Sequence, residues 1–334
     1  MKIRCTLLLA ALAGAAFAAA ADAQTPPAPR QPAAKSEPRP PAPAPAQSAP
    51  DPDGNIDHAY GAFQRGYYLT AFALATQRVE KGDAKAMTLL GELHANGLGV
   101  PRDDRKAADW YKLAVERGDR EATFALALFR LSGRAGPRDR EEAAKLLSAA
   151  AKLGHAAAAY NLGLLYLEGQ QFPQDFGRAA ELFRVAAQAG TPEAQYALAT
   201  LLKDGRGVTK DLREAARLLA AASLADNTDA QVEYAIALFN GEGIARDESA
   251  AAVLLRKAAR KGSPIAQNRL ARILATGRGL PVDPAEATKW HLIAKTRGAS
   301  DLWLDEFVGK LPADVRAAGE QAARPWLTTR LPRS

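Results

Sequence analysis

The sequence predicts an all-α solenoid, an array of helical hairpins of equal length, and three observations predict it. Glycine returns every 36 residues at Gly82, Gly118, Gly154, Gly190, Gly262 and Gly298, with Asp226 in the one missing slot. Three alanine columns keep the same period: Ala86, Ala122, Ala158, Ala194, Ala230 and Ala266; Ala107, Ala143, Ala179, Ala215, Ala251 and Ala287; and Ala114, Ala150, Ala186, Ala222, Ala258 and Ala294. Aspartate recurs in register at Asp103, Asp139, Asp175, Asp211, Asp247 and Asp283. A fixed period of this length marks stacked supersecondary units, and columns of small residues let helix axes approach to roughly 8 to 10 Å.

Each unit reads as helix, loop, helix. In the first helix Leu90, Leu126, Leu162, Leu198 and Leu270 lie four residues after the column alanine, on the same face. The residue after each leucine position is small: Gly91, Ala127, Gly163, Ala199, Ala235 and Ala271, with Tyr234 taking the leucine place in one unit. The helix stops at Gly97, Gly133, Gly169, Gly205, Gly241 or Gly277, where a left-handed residue suits glycine.

The recurrent aspartates directly precede the second helices, so their oxygens are expected to accept from free backbone amides. They read as helix caps and not as a metal or acid–base array. Glu142, Glu214 and Glu286 follow at the third position, where they predict capping boxes. First helices carry candidate caps at Asp83, Asp119, Thr191, Asn227 and Ser263, with Pro192 and Pro264 in the first turn.

With these residues in place, the run Ala86, Leu90-Gly91, Gly97-Leu98-Gly99-Val100-Pro101, Asp103, Ala107, Trp110-Tyr111, Ala114, Gly118 resembles a Sel1-like repeat, a relative of the tetratricopeptide repeat. The resemblance implies a right-handed α-solenoid of six repeats (83–118, 119–154, 155–190, 191–226, 227–262 and 263–298) and a role as protein-interaction scaffold or signalling adaptor. Ala135 and Gln171 depart from the pattern at the second loop glycine. Residues 57–82 read as an N-terminal half-repeat cap, with Ala71 in the second-helix alanine column. Residues 299–331 read as C-terminal capping helices, with Leu302, Trp303, Phe307, Leu311, Val315 and Trp326 available to cover the last hairpin.

Residues 1–23 read as a cleavable signal peptide. Lys2 and Arg4 lead an apolar stretch from Leu7 to Ala20 that is short for a membrane span, and Ala21-Asp22-Ala23 supplies the cleavage pattern before Gln24. A periplasmic or secreted protein with no integral membrane segment after cleavage is expected. The only cysteine, Cys5, leaves with this segment, which removes disulfides and thiolate chemistry from the mature chain. Residues 24–56 hold eleven prolines and read as a disordered Pro/Ala-rich linker. Asp51, Asp53, Asn55 and Asp57 alternate as in a calcium loop, but Ile56 stands at the turn glycine and Ala62 at the distal carboxylate, so no metal is expected.

Lys and Arg number 44 against 37 Asp and Glu, a formal charge of +7 that falls to +6 without the leader. The charges are spread over helix surfaces with no nucleic-acid motif, so no nucleic acid is expected. The chain lacks a zinc-spaced histidine pair, a phosphate-cradling glycine loop and a nucleophile elbow, and His58, His94, His155 and His291 occupy unrelated places. No catalytic residue and no cofactor are expected.

Packing as in tetratricopeptide arrays would line a concave wall with first helices. That places Phe124, Tyr160 and Tyr196 in one column, Leu128, Leu164 and Ile236 one turn on, and Leu131, Leu167 and Phe239 beyond. Phe124, Leu128, Tyr160, Leu164, Tyr196, Ile236 and Phe239 are the candidate contacts for a partner helix or extended peptide, though the aromatic column equally suits packing between hairpins. Glu92, Glu193, Lys203, Asp204 and Arg272 are the nearby charges. The expected function is a monomeric, non-catalytic periplasmic scaffold or regulator, with envelope signalling or exopolysaccharide control as the context the resemblance implies. A peptidoglycan-active or β-lactam-modifying enzyme and a structural envelope protein without a client are the alternatives.

Overall fold

The computed structural model describes residues 57–170 and 172–328. The signal peptide and linker expected over residues 1–56, the loop position Gln171 and the last residues, 329–334, lie outside that range. The described residues carry helices and no strand. They fall into two compact units, 57–119 and 120–328.

The first unit holds α1 (His58–Gln64), α2 (Tyr68–Val79), α3 (Ala84–Asn96) and α4 (Asp104–Glu116), each packed on the next. In the second, the first helices α5 (Arg120–Ser132), α7 (Ala156–Glu168), α9 (Pro192–Asp204), α11 (Thr228–Asn240) and α13 (Pro264–Thr276) alternate with second helices. These are α6 (Arg140–Lys152), α8 (Phe176–Gln188), α10 (Leu212–Leu224), α12 (Glu248–Arg260) and α14 (Pro284–Thr296). Neighbours pack in chain order, then α15 (Leu302–Gly309) and α16 (Ala313–Thr328) lie against α14.

Helices α3 to α14 are each 13 residues long because both ends are pinned. All six recurrent aspartates cap second helices as expected, for example Asp139 accepting from the Glu142 amide at 2.9 Å and Asp247 from Ala250 at 2.8 Å. The capping boxes do not form in their usual sense. The amide of each aspartate instead donates to a carbonyl in the last turn of the preceding first helix, from Asp103 to His94 through Asp283 to Leu274, at 2.9 to 3.1 Å. That bond satisfies one of the free carbonyls at the helix end and clips the hairpin shut. Glu214 turns to Arg217 and Glu286 to Lys289 and the Trp290 indole.

Among the first helices, Asp83, Asn227 and Ser263 cap as expected, whereas the Thr191 hydroxyl makes no cap bond. His155 supplies a cap that residue preference hides: its Nδ1 accepts from the Ala158 amide at 3.1 Å.

The three alanine columns are at most 2% exposed throughout and form the helix contacts. Next to them, side-chain volume is exchanged across the hairpin. A methyl at Gly91 would lie 2.5 Å from the Tyr111 ring, and one at Gly163 would lie 2.6 Å from the Phe183 ring. Where the first helix carries alanine instead, at Ala127, Ala199, Ala235 and Ala271, the equivalent second-helix residue is the smaller Leu147, Leu219, Leu255 or His291. Close-packed interiors require such exchange.

Asp226 shows what replaces glycine at a helix end. It holds a left-handed φ of 69°. Its carboxylate meets Lys261 at 2.6 Å and Lys257 at 2.9 Å and accepts from Gln231. Hydrogen bonds from Lys261, Lys257 and Gln231 hold this exposed carboxyl well below its ordinary range.

The C-terminal cover is the expected one in part, with Phe307 and Trp326 packed on the core of the last hairpin. Leu302 is 85% exposed and Trp303 41% exposed, so neither closes the last hairpin. Leu304 and Ala323 are fully buried, Trp326 meets Trp290 edge to face at 5.1 Å, and Gly319 allows α16 to lie directly against Thr288. No helix of the described residues is long and apolar enough to cross a membrane.

Candidate functional site

First helices pack against the second helices before and after them in the chain, and the candidate residues divide by their burial there. Phe124, Leu128 and Leu164 are 2, 8 and 4% exposed. They fill interhelical space, with the Phe124 ring stacked 4.3 Å from the His155 imidazole, and they offer a partner no surface. Tyr160, Tyr196, Ile236 and Phe239 are only partly buried. The two tyrosines pack on the core of α7 to α11, and Ile236 and Phe239 on that of α11 to α16.

The structure brings Ile236 and Phe239 together in a groove of about 240 Å³ between α11 and α13. Ala235, Leu255 and Ile273 complete an apolar floor, and Arg269, Arg272 and Arg278 stand around it with Asn240 and Thr276. Repeat spacing places Ile236 and Ile273 on facing helices. Arg269 and Arg272 occur once at their places in the repeat, and this is why a search for recurrent residues misses Arg269; Arg278 instead recurs as Arg134 and Arg206.

Most polar groups of the groove are already engaged. Arg272 holds Asp301 through two bonds of 2.6 and 2.8 Å, and its guanidinium lies 5.1 Å from the Trp303 ring centre. Burial raises Asp301, but Arg272, Asn268 and the Leu304 amide outweigh it and hold the carboxyl well below its usual range. Arg278 lies 4.1 Å above the Phe239 ring and pairs with Glu248 at 2.5 Å. Asn240 bonds Glu242, and the Thr276 hydroxyl donates to the Arg272 carbonyl.

One turn of the array earlier, the same face is acidic. Burial and the nearby Glu233 raise Asp229, and burial with Asp229 and Glu233 pushes the Tyr196 phenol up to about 12. Glu233 is tied to Lys203 at 2.6 Å. Lys203 and Arg272, two of the charges near the candidate contacts, are therefore paired within the chain.

Glu92 on α3 is different, because burial alone pushes its carboxyl up to about 7. A folded-state pKa above the unfolded one favours folding below the unfolded value of 4.5 and loses that contribution as pH rises toward 7. Glu92→Gln is therefore expected to flatten the stability profile between these limits, by on the order of 2 kcal/mol after allowance for partial exposure. Urea titrations of both proteins at pH 4.5 and 8 check this. Parallel profiles would mean that the carboxylate is solvated when folded.

Three of the four histidines make contacts within the fold. His155 spends Nδ1 on its cap and donates from Nε2 to Glu121 at 2.9 Å, and the buried His291 meets Asp305 at 2.8 Å. Buried His94 lies edge to face with Phe72. Among the described residues no group of three or more His, Cys, Asp or Glu is placed to hold a metal.

The chain matches the Sel1 repeat at residues 84–119, 120–155, 156–191, 192–227, 228–263 and 264–298, well over half its length. It belongs to the Sel1 repeat family. Similar solved structures include a Sel1 repeat protein from Oxalobacter formigenes, 26% identical, with a TM-score of 0.62 over 73% of this chain and 97% of that one. Another is c5321, a protective antigen present in uropathogenic Escherichia coli strains and displaying an SLR fold, 25% identical with a TM-score of 0.56. That match covers 78% of this chain and 64% of c5321, so the chain spans less than two thirds of that protein. No curated protein matches the chain. Sel1 repeats form scaffolds for protein–protein interaction, which directs attention to the first-helix face.

Proposed function

We propose that this Sel1 repeat protein is a non-catalytic scaffold or regulatory adaptor in the bacterial periplasm, acting on a protein of envelope signalling or exopolysaccharide control. Residues 1–23 are its signal peptide, 24–56 its tether, 57–82 and 299–331 its caps, and it works as a monomer. The observation that carries the reading is the first-helix face of residues 120–328. Tyr160, Tyr196, Ile236 and Phe239 keep exposed apolar surface there on successive first helices, although the helices are otherwise closely packed. Aromatic and aliphatic side chains on a rigid frame lose little conformational freedom on binding, so they make efficient anchors.

Crosslinking in living cells, followed by capture of the protein, tests this. A specific partner is expected, together with a mature chain that begins at Gln24. Tyr196→Ala and Tyr160→Ala are expected to reduce capture roughly tenfold, the cost of one interface anchor, while helicity at the capture temperature stays unchanged and the lost packing on the core lowers only the melting temperature. Undiminished capture by the double variant would remove this face from the interaction.

A further inference from the structure

The groove between α11 and α13 combines features that select an occupant. Its volume, about 240 Å³, falls below the roughly 300 Å³ at which pockets enclose a small molecule, and it suits one large apolar side chain resting on Ile236, Phe239 and Ile273. Three guanidinium groups line it, yet two are paired inside the protein, Arg272 with Asp301 and Arg278 with Glu248, a carboxylate that Arg246 shares. Arg269 is exposed and has no carboxylate partner among the described residues. Among the described residues the groove therefore presents one cation without a carboxylate partner, Arg269, at the edge of an apolar floor.

We infer that this groove is a docking slot for a partner's peptide segment in which a side-chain carboxylate neighbours a large apolar residue, the carboxylate seated on Arg269. An inorganic anion would leave the apolar floor wet, and a purely apolar peptide would cover Arg269 without replacing its water. A segment with both groups satisfies floor and edge together. Arg272 and Arg278, fixed by their own carboxylates, act as rigid walls of the groove. The inference rests on the scaffold reading and specifies where, and by what chemistry, a partner is gripped.

The test is a phage-displayed library of random peptides joined to coat protein at their C-termini, panned against the purified full-length chain. Enriched sequences are expected to carry Asp or Glu beside Leu, Ile or Phe. A labelled, acetylated and amidated peptide of that consensus is then titrated by fluorescence anisotropy. Arg269→Glu is expected to weaken binding roughly tenfold at low salt, less as ionic strength rises, and a peptide with Lys in place of the acid is expected to recover affinity for this variant. Because Arg269 is exposed, unchanged helicity and melting of Arg269→Glu exclude misfolding as the cause. Enriched peptides without an acid, affinity indifferent to Arg269→Glu, or binding that requires a free C-terminal carboxylate each overturn the inference. Peptides lost on Tyr196→Ala but not on Arg269→Glu would sink the slot and leave the scaffold reading standing; no enrichment at all would sink both.

Discussion

Gly243→Ala is expected to destabilise the protein by more than about 3 kcal/mol, far beyond the usual effect of one added methyl. Gly243 occupies the second loop position of its repeat with a φ of 72°, and a Cβ there would overlap the carbonyl of Leu212 at the start of α10. Gly207 meets Phe176 and Gly279 meets Glu248 in the same way, so each loop rests on the first turn of the preceding repeat's second helix. Relief would require two backbones to separate, not a side chain to rotate. Gly190→Ala is the control, since Gly190 has a φ of 87° but nothing within 4 Å of an added methyl. Only the left-handed cost of about 1 kcal/mol is expected there. Urea denaturation followed by circular dichroism separates the two. Equal losses would show that the loop does not bear on α10.

What the sequence discloses about this molecule is whatever repeats. The cap role of the six aspartates, the left-handed glycines and the buried alanines each follow from one residue type held at one spacing, and the Sel1 pattern follows from their combination. Contacts that depend on the path of a loop were hidden. Glu142, Glu214 and Glu286 have capping-box spacing, but the clip from each aspartate amide to the preceding helix takes the donor they would have used. Exposure was hidden as well, because periodicity assigns Phe124, Leu128 and Leu164 to a face without saying what lies over that face. A visible signal also passed unused: Gln195, Gln231 and Gln267 recur at the repeat period, and each donates to a carbonyl eight residues earlier, at Ala187, Ser223 and Ala259. The groove beside Arg269 mixes both cases: Ala235, Leu255 and Arg278 have counterparts in other repeats, whereas Arg269 occurs once at its place.

The exchange of volume across each hairpin makes a prediction about a pair. Gly163→Ala adds a methyl 2.6 Å from the Phe183 ring, which is fully buried and has no room to withdraw. Overpacking of this kind costs roughly 1 to 3 kcal/mol, which is expected to exceed the gain of about 1 kcal/mol from alanine's better helix propensity. Phe183→Leu alone leaves unfilled space beside Gly163 and is expected to cost about 1 to 3 kcal/mol. Together the two changes reproduce the alanine and leucine that repeats elsewhere in the chain place at Ala127 and Leu147, or Ala199 and Leu219. The double variant is therefore expected to approach wild-type stability, with a coupling energy of about 2 to 3 kcal/mol between sites that would otherwise add. Thermal and urea unfolding of the four proteins close the cycle. Additive losses would mean that the glycine and the aromatic are not compensating partners, and that alanine and leucine stand opposite each other elsewhere for some other reason.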